Sequence, residues 1–238
     1  MKHRLIILLG VLMLSLPVIS QEEEKTSYSF DFGADLMSRY VWRGLLYSPA
    51  VNAQPWMVFT KGNLSVGAWG SYALGNYYAE ADFYISYAAG PVTISINNYY
   101  SEDETDMTAV NYFNFKSGQT GHYFEGSLAY TLPENFPLTI TAATFFYGAD
   151  YDYVADKNYY ATYLELAYPF KFSETDCNAF IGGTVNEGIY AAKAAIVNMG
   201  LKASKSIKIS NEFELPVSAS LVINPYAEDI FFVFGFHF

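Results

Sequence analysis

Charge is scarce in this chain of 238 residues: Asp, Glu, Lys and Arg make up 16% of it, with 13 basic residues against 24 acidic. With so few cations and no clustered basic patch, nucleic acid is not an expected partner. A single cysteine, Cys177, cannot close an internal disulfide and lies far from any lipoprotein processing site, so it reads as a small apolar strand residue. The chain has no glycine-rich phosphate loop and no Gly-x-Ser-x-Gly elbow, which argues against nucleotide binding and an α/β-hydrolase nucleophile. Beyond the N-terminus no stretch stays apolar for 18 residues, so no helical membrane span is expected there.

Aromatic side chains, by contrast, are abundant. They form 18% of the chain, with 22 tyrosines, yet the mean hydropathy is only +0.10. Polar and apolar residues are therefore interleaved, as they are when one face of each strand meets lipid and the other meets a lumen. The N-terminus carries Lys2 and Arg4, then an apolar stretch over 5–16, then Val18-Ile19-Ser20. That order predicts a secretory leader over 1–20, too short for a span of roughly 20 residues. Without Lys2 and Arg4, 11 basic residues face 24 acidic ones, a net charge of −13. Residues 21–27, with three consecutive glutamates, read as a short periplasmic tail.

The last ten residues alternate strictly. Ile230, Phe232, Phe234, Phe236 and Phe238 share one face of a strand, and Phe231, Val233, Gly235 and His237 share the other. The same alternation recurs upstream, as in Leu64, Val66, Ala68 and Tyr72 against Asn63, Ser65, Gly67 and Ser71. Twelve segments are expected in all, at 28–40, 50–60, 63–74, 79–89, 91–101, 121–132, 137–147, 158–169, 177–186, 194–205, 212–224 and 229–238. Each matches the length of about 9–11 tilted residues that crosses a bilayer. The facing of 177–186 stays ambiguous.

Turn lengths alternate too. Lys61-Gly62, Ala89-Gly90-Pro91 and 133–137 are tight, whereas 45–49, 101–120 and 148–157 are longer. Links near 170–176 and 206–211 fit the rhythm less well. The expectation is an all-β fold: a transmembrane antiparallel up-and-down β-barrel of twelve strands, with ten or fourteen as alternatives, forming a single domain over 28–238. The count depends on the apolar patch at 110–115, which could add a strand, fold inward as a plug, or remain a loop.

The string Ser38-Arg39-Tyr40-Val41-Trp42-Arg43-Gly44, followed by Gln54-Pro55 and by Gly67-Ala68-Trp69-Gly70-Ser71, resembles the TorF-type porin family. The resemblance is strongest over 28–75 and implies a bacterial outer-membrane barrel with a pore role. It brings no agreed functional residues with it.

Period-2 facing places Asp31, Asp35, Arg39 and Arg43 on the lumen side of the first strand, joined by Gln54, Glu80, Asp82, Glu125, Glu165, Lys202 and Glu214. These pore-lining candidates are mostly acidic, which points to a channel for small hydrophilic solutes with a preference for cations. The competing expectation is that opposite charges pair across strands and close the lumen, leaving a structural or adhesin role to the outer loops. A barrel enzyme acting on envelope lipid is the weakest alternative. His122, Glu125 and Ser127 invite it, but His122 and Ser127 fall on opposite faces of a strand. No catalytic residue, metal ligand or cofactor is assigned. Asp150, Asp152 and Asp156 read as a solvated acidic loop rather than a calcium site. Tyr40, Trp42, Tyr77, Tyr78, Tyr99, Tyr100, Tyr147, Tyr159 and Tyr160 are expected in an interfacial girdle near the outer strand ends. The expected partners are outer-membrane lipid and lipopolysaccharide, and the barrel-assembly machinery through the terminal strand.

Overall fold

A computed structural model describes residues 28–75, 78–106 and 111–238 of the protein. The expected leader and tail, Tyr77, and residue 110 of the apolar patch lie outside the described residues. Sixteen strands occur among those described, in the order β1 (Tyr28–Met37), β2 (Tyr40–Trp42), β3 (Leu45–Ser48), β4 (Val51–Lys61), β5 (Leu64–Leu74), β6 (Tyr78–Ala89), β7 (Val92–Asp103) and β8 (His122–Thr131). They continue with β9 (Thr139–Gly148), β10 (Tyr151–Asp152), β11 (Lys157–Asn158), β12 (Thr162–Phe172), β13 (Thr175–Thr184), β14 (Ala195–Lys208), β15 (Glu214–Asn224) and β16 (Asp229–His237). No helix is present among the described residues.

Twelve of these strands close into one antiparallel barrel, each paired with its neighbours in sequence and β1 paired with β16. The expected twelve-stranded up-and-down barrel is the observed one. Two two-stranded hairpins, β2–β3 and β10–β11, stand apart from the wall.

Alternation sets the two faces. Phe83, Ile85, Ile94, Ile96, Leu164, Leu166, Phe232 and Phe234 project from the exterior and are exposed, while Phe231 and Val233 are buried inside. The β13 facing is settled by Ile181, which is exposed, and by Phe180, which packs against Val222, Phe231 and Val233 in the interior. Cys177 stands on the same face as Ile181 and is unpaired.

At one end of the barrel three turns, β4–β5, β6–β7 and β12–β13, have two residues, while the links 132–138 and 209–213 are looser. Ser173 and Glu174 join β12 to β13, with Ser173 at φ 55°, so this link is a tight turn and not the looser one expected. The expected strand at 158–169 is displaced: Asn158 belongs to the β10–β11 hairpin, and the wall strand begins at Thr162. The opposite end carries the longest links, among them 104–121, 149–161 and 185–194, beside two short ones at 75–77 and 225–228. Residues 111–115 form neither an added strand nor a lumen plug. They lie against the exterior, where Phe115 stacks on His122 and Tyr112 meets His122 and Tyr100.

The seam between first and last wall strands is short. Only Asp35↔His237, Leu36↔Phe236 and Met37↔Gly235 are in register, against ten pairs between β1 and β4. It is extended by the Ala34–Phe238 and Ser38–Phe234 backbone bonds. After Ser38 the chain bends out of the wall and enters the barrel.

Candidate functional site: an inward hairpin clamped across the lumen

Strands β2 and β3 are the arms of a hairpin whose two-residue turn is Arg43-Gly44, at φ 48° and 79°. Positive φ at both central residues is the arrangement that matches the twist of a hairpin. Glycine takes it without strain, whereas an arginine there costs roughly 1–2 kcal/mol. A backbone held in this way persists only where its surroundings over-determine it. Here the side chain supplies that determination.

The Arg43 guanidinium donates to both oxygens of Glu125 on β8, one of these bonds being 3.1 Å long, and also to the hydroxyl of Tyr190. It lies 4.3 Å from the ring centre of Trp42 and 4.6 Å from that of Tyr163 on β12. Glu125 is 1% exposed and accepts further bonds from Tyr99 at 3.0 Å and Asn97 at 3.3 Å, both on β7. A bidentate pair so enclosed by donors and aromatic faces satisfies both charges away from bulk water.

The rest of the hairpin reaches other walls. Asn224 on β15 donates to the Gly44 carbonyl at 3.1 Å, and a Cβ on Gly44 would collide with the Val197 carbonyl of β14. Trp42 packs on Tyr99, Phe145 and Tyr190, and Tyr40 packs on Trp69 and Tyr78. Tyr40 and Tyr78 both donate to Glu80 on β6. One nine-residue hairpin thus spans the lumen and touches strands on opposite sides of the barrel.

This arrangement corrects two expectations. Residues 45–49 are not an outer link, and Tyr40, Trp42, Tyr78 and Tyr99 are not girdle residues; they face inward. Parity is the reason for Tyr99: its neighbour Tyr100 points outward beneath residues 111–115, so Tyr99 must point in. Arg43 is in the lumen as expected, but it arrives there on the hairpin and not on the first wall strand.

The other lumen candidates divide into groups. Gln54 is buried on β4 and bonds Ser71 at 3.3 Å. Glu80 and Asp82 sit together on β6, Asp82 accepting the Tyr100 backbone N–H at 3.3 Å. Glu165 accepts from Tyr163 at 2.5 Å and from Asn198 at 3.0 Å. Asp35 pairs with His237 at 2.8 Å. Arg39 lies at the bend where the chain leaves the wall, its Nε without a protein partner. Lys202 is exposed to a cavity of about 290 Å³ that the hairpin roofs with Val41, Arg43 and Gly44. Asp31 and Glu214 are exposed at the short-turn end and take no part in the clamp.

His122 is fully buried on the exterior face. It donates from Nε2 to the Tyr112 carbonyl at 2.6 Å and accepts at Nδ1 from Asn98 at 3.0 Å, while Glu125 points into the lumen. The set His122, Glu125 and Ser127 is therefore not brought together. The three loop aspartates are spent on local bonds: Asp150 holds the Ala161 and Ile189 N–H groups, Asp152 those of Val154 and Ala155, and Asp156 the Tyr151 hydroxyl. Among the described residues no group of three or more metal-binding side chains is placed to hold an ion. Tyr190, in the link between β13 and β14, is a clamp residue that the sequence did not single out. No family model, curated protein or solved structure matches this chain.

Proposed function

We propose that the protein is an outer-membrane barrel of the TorF-type porin family that passes small hydrophilic solutes, with a preference for cations, through a lumen gated by hairpin β2–β3. The apolar exterior and the gathering of the longest links at one end support a bilayer setting with the short-turn end in the periplasm. The observation that carries the gating is the clamp at Arg43. A hairpin held at its tip by one bidentate pair has a release point, which a lumen merely filled with side chains would lack. Lys202, Glu165, Asn178 and Asn198 give the cavity beside the hairpin a polar lining suited to solute passage. Cation preference follows from the acidic excess among lumen side chains.

A closed barrel with a structural or adhesin role is the second reading, favoured by the aromatic packing around Trp42. Reconstitution in planar bilayers separates the two. The channel reading expects a small single-channel current from the natural chain and a larger one when residues 40–48 are replaced by a short glycine-serine link. Its reversal potential under a salt gradient reports the ion preference, and anion selectivity would sink that part. Silence from the natural chain with current only from the shortened one supports the closed barrel. Silence from both refutes the gate.

A further inference from the structure

The seam holds a constellation that the clamp does not use. Asp35 of β1, His237 of β16 and Ser218 of β15 lie side by side on the lumen face. A carboxylate only accepts, so His237 donates from Nδ1 to Asp35 Oδ1 at 2.8 Å, leaving Nε2 to accept the Ser218 hydroxyl at 2.9 Å. Each ring nitrogen meets the partner that general-base activation of a serine requires. A strut across the seam would need only two contacts of any polarity; this chain of bonds has the order and direction of a proton relay.

The surroundings fit a substrate. Further along the same faces, Met37, Ser220 and Val233 line the roughly 290 Å³ cavity under the hairpin, together with Phe180, Val222 and Lys202. That volume lies at the lower end of small-molecule sites. Met37, Phe180, Val222 and Val233 supply an apolar wall for a short acyl group. Lys202 is paired with Ser220 and is therefore a cross-strand diagonal neighbour of Ser218, roughly 7–8 Å away, so its long side chain can bring a cation to an oxyanion forming there. Asn178 also lines the cavity, and its buried Oδ1 has no protein partner. Ser218 is nearly covered because the Met37 thioether lies over Gly235 beside it, where a Cβ would not fit. A methionine is the residue best able to move aside for an entering ligand.

We propose that Ser218, His237 and Asp35 form a hydrolytic triad for small, short-acyl esters entering the lumen, whether or not the lumen conducts. Ser218 Oγ attacks the ester carbonyl carbon and its proton passes to His237 Nε2. Asp35 holds the imidazole by its Nδ1–H and offsets the charge that develops. As the tetrahedral intermediate collapses, the carbon–oxygen bond to the alcohol breaks and His237 returns the proton to the departing oxygen. Water then attacks the acyl carbon as it gives a proton to His237 Nε2, the bond to Ser218 Oγ breaks to release the acid, and His237 returns that proton to the serine oxygen.

The test uses the full chain folded in detergent, with folding checked by its heat-sensitive gel mobility, and an alkyl fluorophosphonate as the probe. The expected result is one covalent adduct, mapped to Ser218 and absent from Ser218→Ala. Asp35→Asn, which keeps the shape but favours the wrong tautomer, should slow labelling and p-nitrophenyl acetate hydrolysis by about a hundredfold or more. Met37→Ala, which uncovers the serine, should speed labelling. If folded natural chain and folded Met37→Ala both remain unlabelled at Ser218, or Ser218→Ala hydrolyses the ester as fast as the natural chain, the triad is refuted.

Discussion

Replacing Arg43 with alanine perturbs the inward hairpin at its tip. The change removes the bidentate bond to Glu125, the bond to Tyr190, and the stacking on Trp42 and Tyr163. Breaking a buried ion pair by deleting one partner costs roughly 3–5 kcal/mol, and each enclosed cation–π contact about 1 kcal/mol more. Glu125 keeps its bonds from Tyr99 and Asn97, which softens the loss. The turn strain cancels, because alanine at positive φ costs about as much as arginine. The lower figure, about 3 kcal/mol, is therefore the better guide, and it corresponds to a shift of about a hundredfold in the ratio of released to seated hairpin. Single-channel recording should show open dwell rising by about that factor. Arg43→Asn, which tolerates the left-handed backbone, should behave like alanine, showing that the side chain and not the turn sets the effect. In a double-mutant cycle with Glu125→Gln, the combined change should cost less than the sum of the two, since neither charge is then left alone. A folded Arg43→Ala barrel with the current and noise of the natural chain would refute the clamp.

Other perturbations probe the surrounding structure. Gly44→Ala puts a Cβ against the Val197 carbonyl at a positive φ, so the hairpin should fail to seat, and the variant should share the enlarged current of Arg43→Ala; natural conductance would contradict the turn. His122→Ala removes both the bond to the Tyr112 carbonyl and the stack under Phe115, at a cost of about 2–3 kcal/mol. Limited proteolysis should then cut at 111–121 while the barrel melts as before; unchanged cutting would show that the loop is held by other contacts. Burial pushes the Asp150 carboxyl above its ordinary range, against the lowering effect of the Ala161 and Ile189 N–H groups. The folded loops thus bind this proton more tightly than the unfolded ones, so docking is strongest at low pH and weakens as pH rises from the ordinary aspartate value through the raised one. Hydrogen exchange at 149–161 and 185–194, corrected for intrinsic rates, should speed up across that window in the natural chain and not in Asp150→Asn. An identical profile in both would discard the assignment.

The wall of the barrel was written plainly in the sequence, and its interior was not. Period-2 alternation is a local signal, so strands such as Leu64–Leu74 and Asp229–His237 and their outward faces follow from neighbouring residues alone. Residues 38–44 alternate just as well, and nothing local distinguishes a strand continuing in the wall from one folding inward. The difference lies in partners that come from afar: Glu125 and Tyr190, which are 82 and 147 residues from Arg43. The adjacent Arg43-Gly44 pair, placed where a wall strand should end, is the one local hint of a turn. At 158–169 the pattern misplaced a strand because Lys157–Asn158 pairs with Tyr151–Asp152 in a small hairpin whose alternation runs on into the true wall strand. Alternation puts Asp35 and His237 on the inner face, but their meeting depends on barrel closure, which no spacing along the chain expresses.

The short seam bears on the order of assembly. Its two strands stand 202 residues apart at the Asp35–His237 contact, whereas nearly every other wall pairing joins strands consecutive in the barrel and close in sequence. Loop-closure entropy makes such a pairing the last to form. The Asp35–His237–Ser218 relay therefore cannot exist in a sheet still open in transit; it comes into being at the moment the cylinder shuts. Whatever chemistry those three residues perform is withheld from the unfinished chain, as in a zymogen whose activating event is its own circularisation.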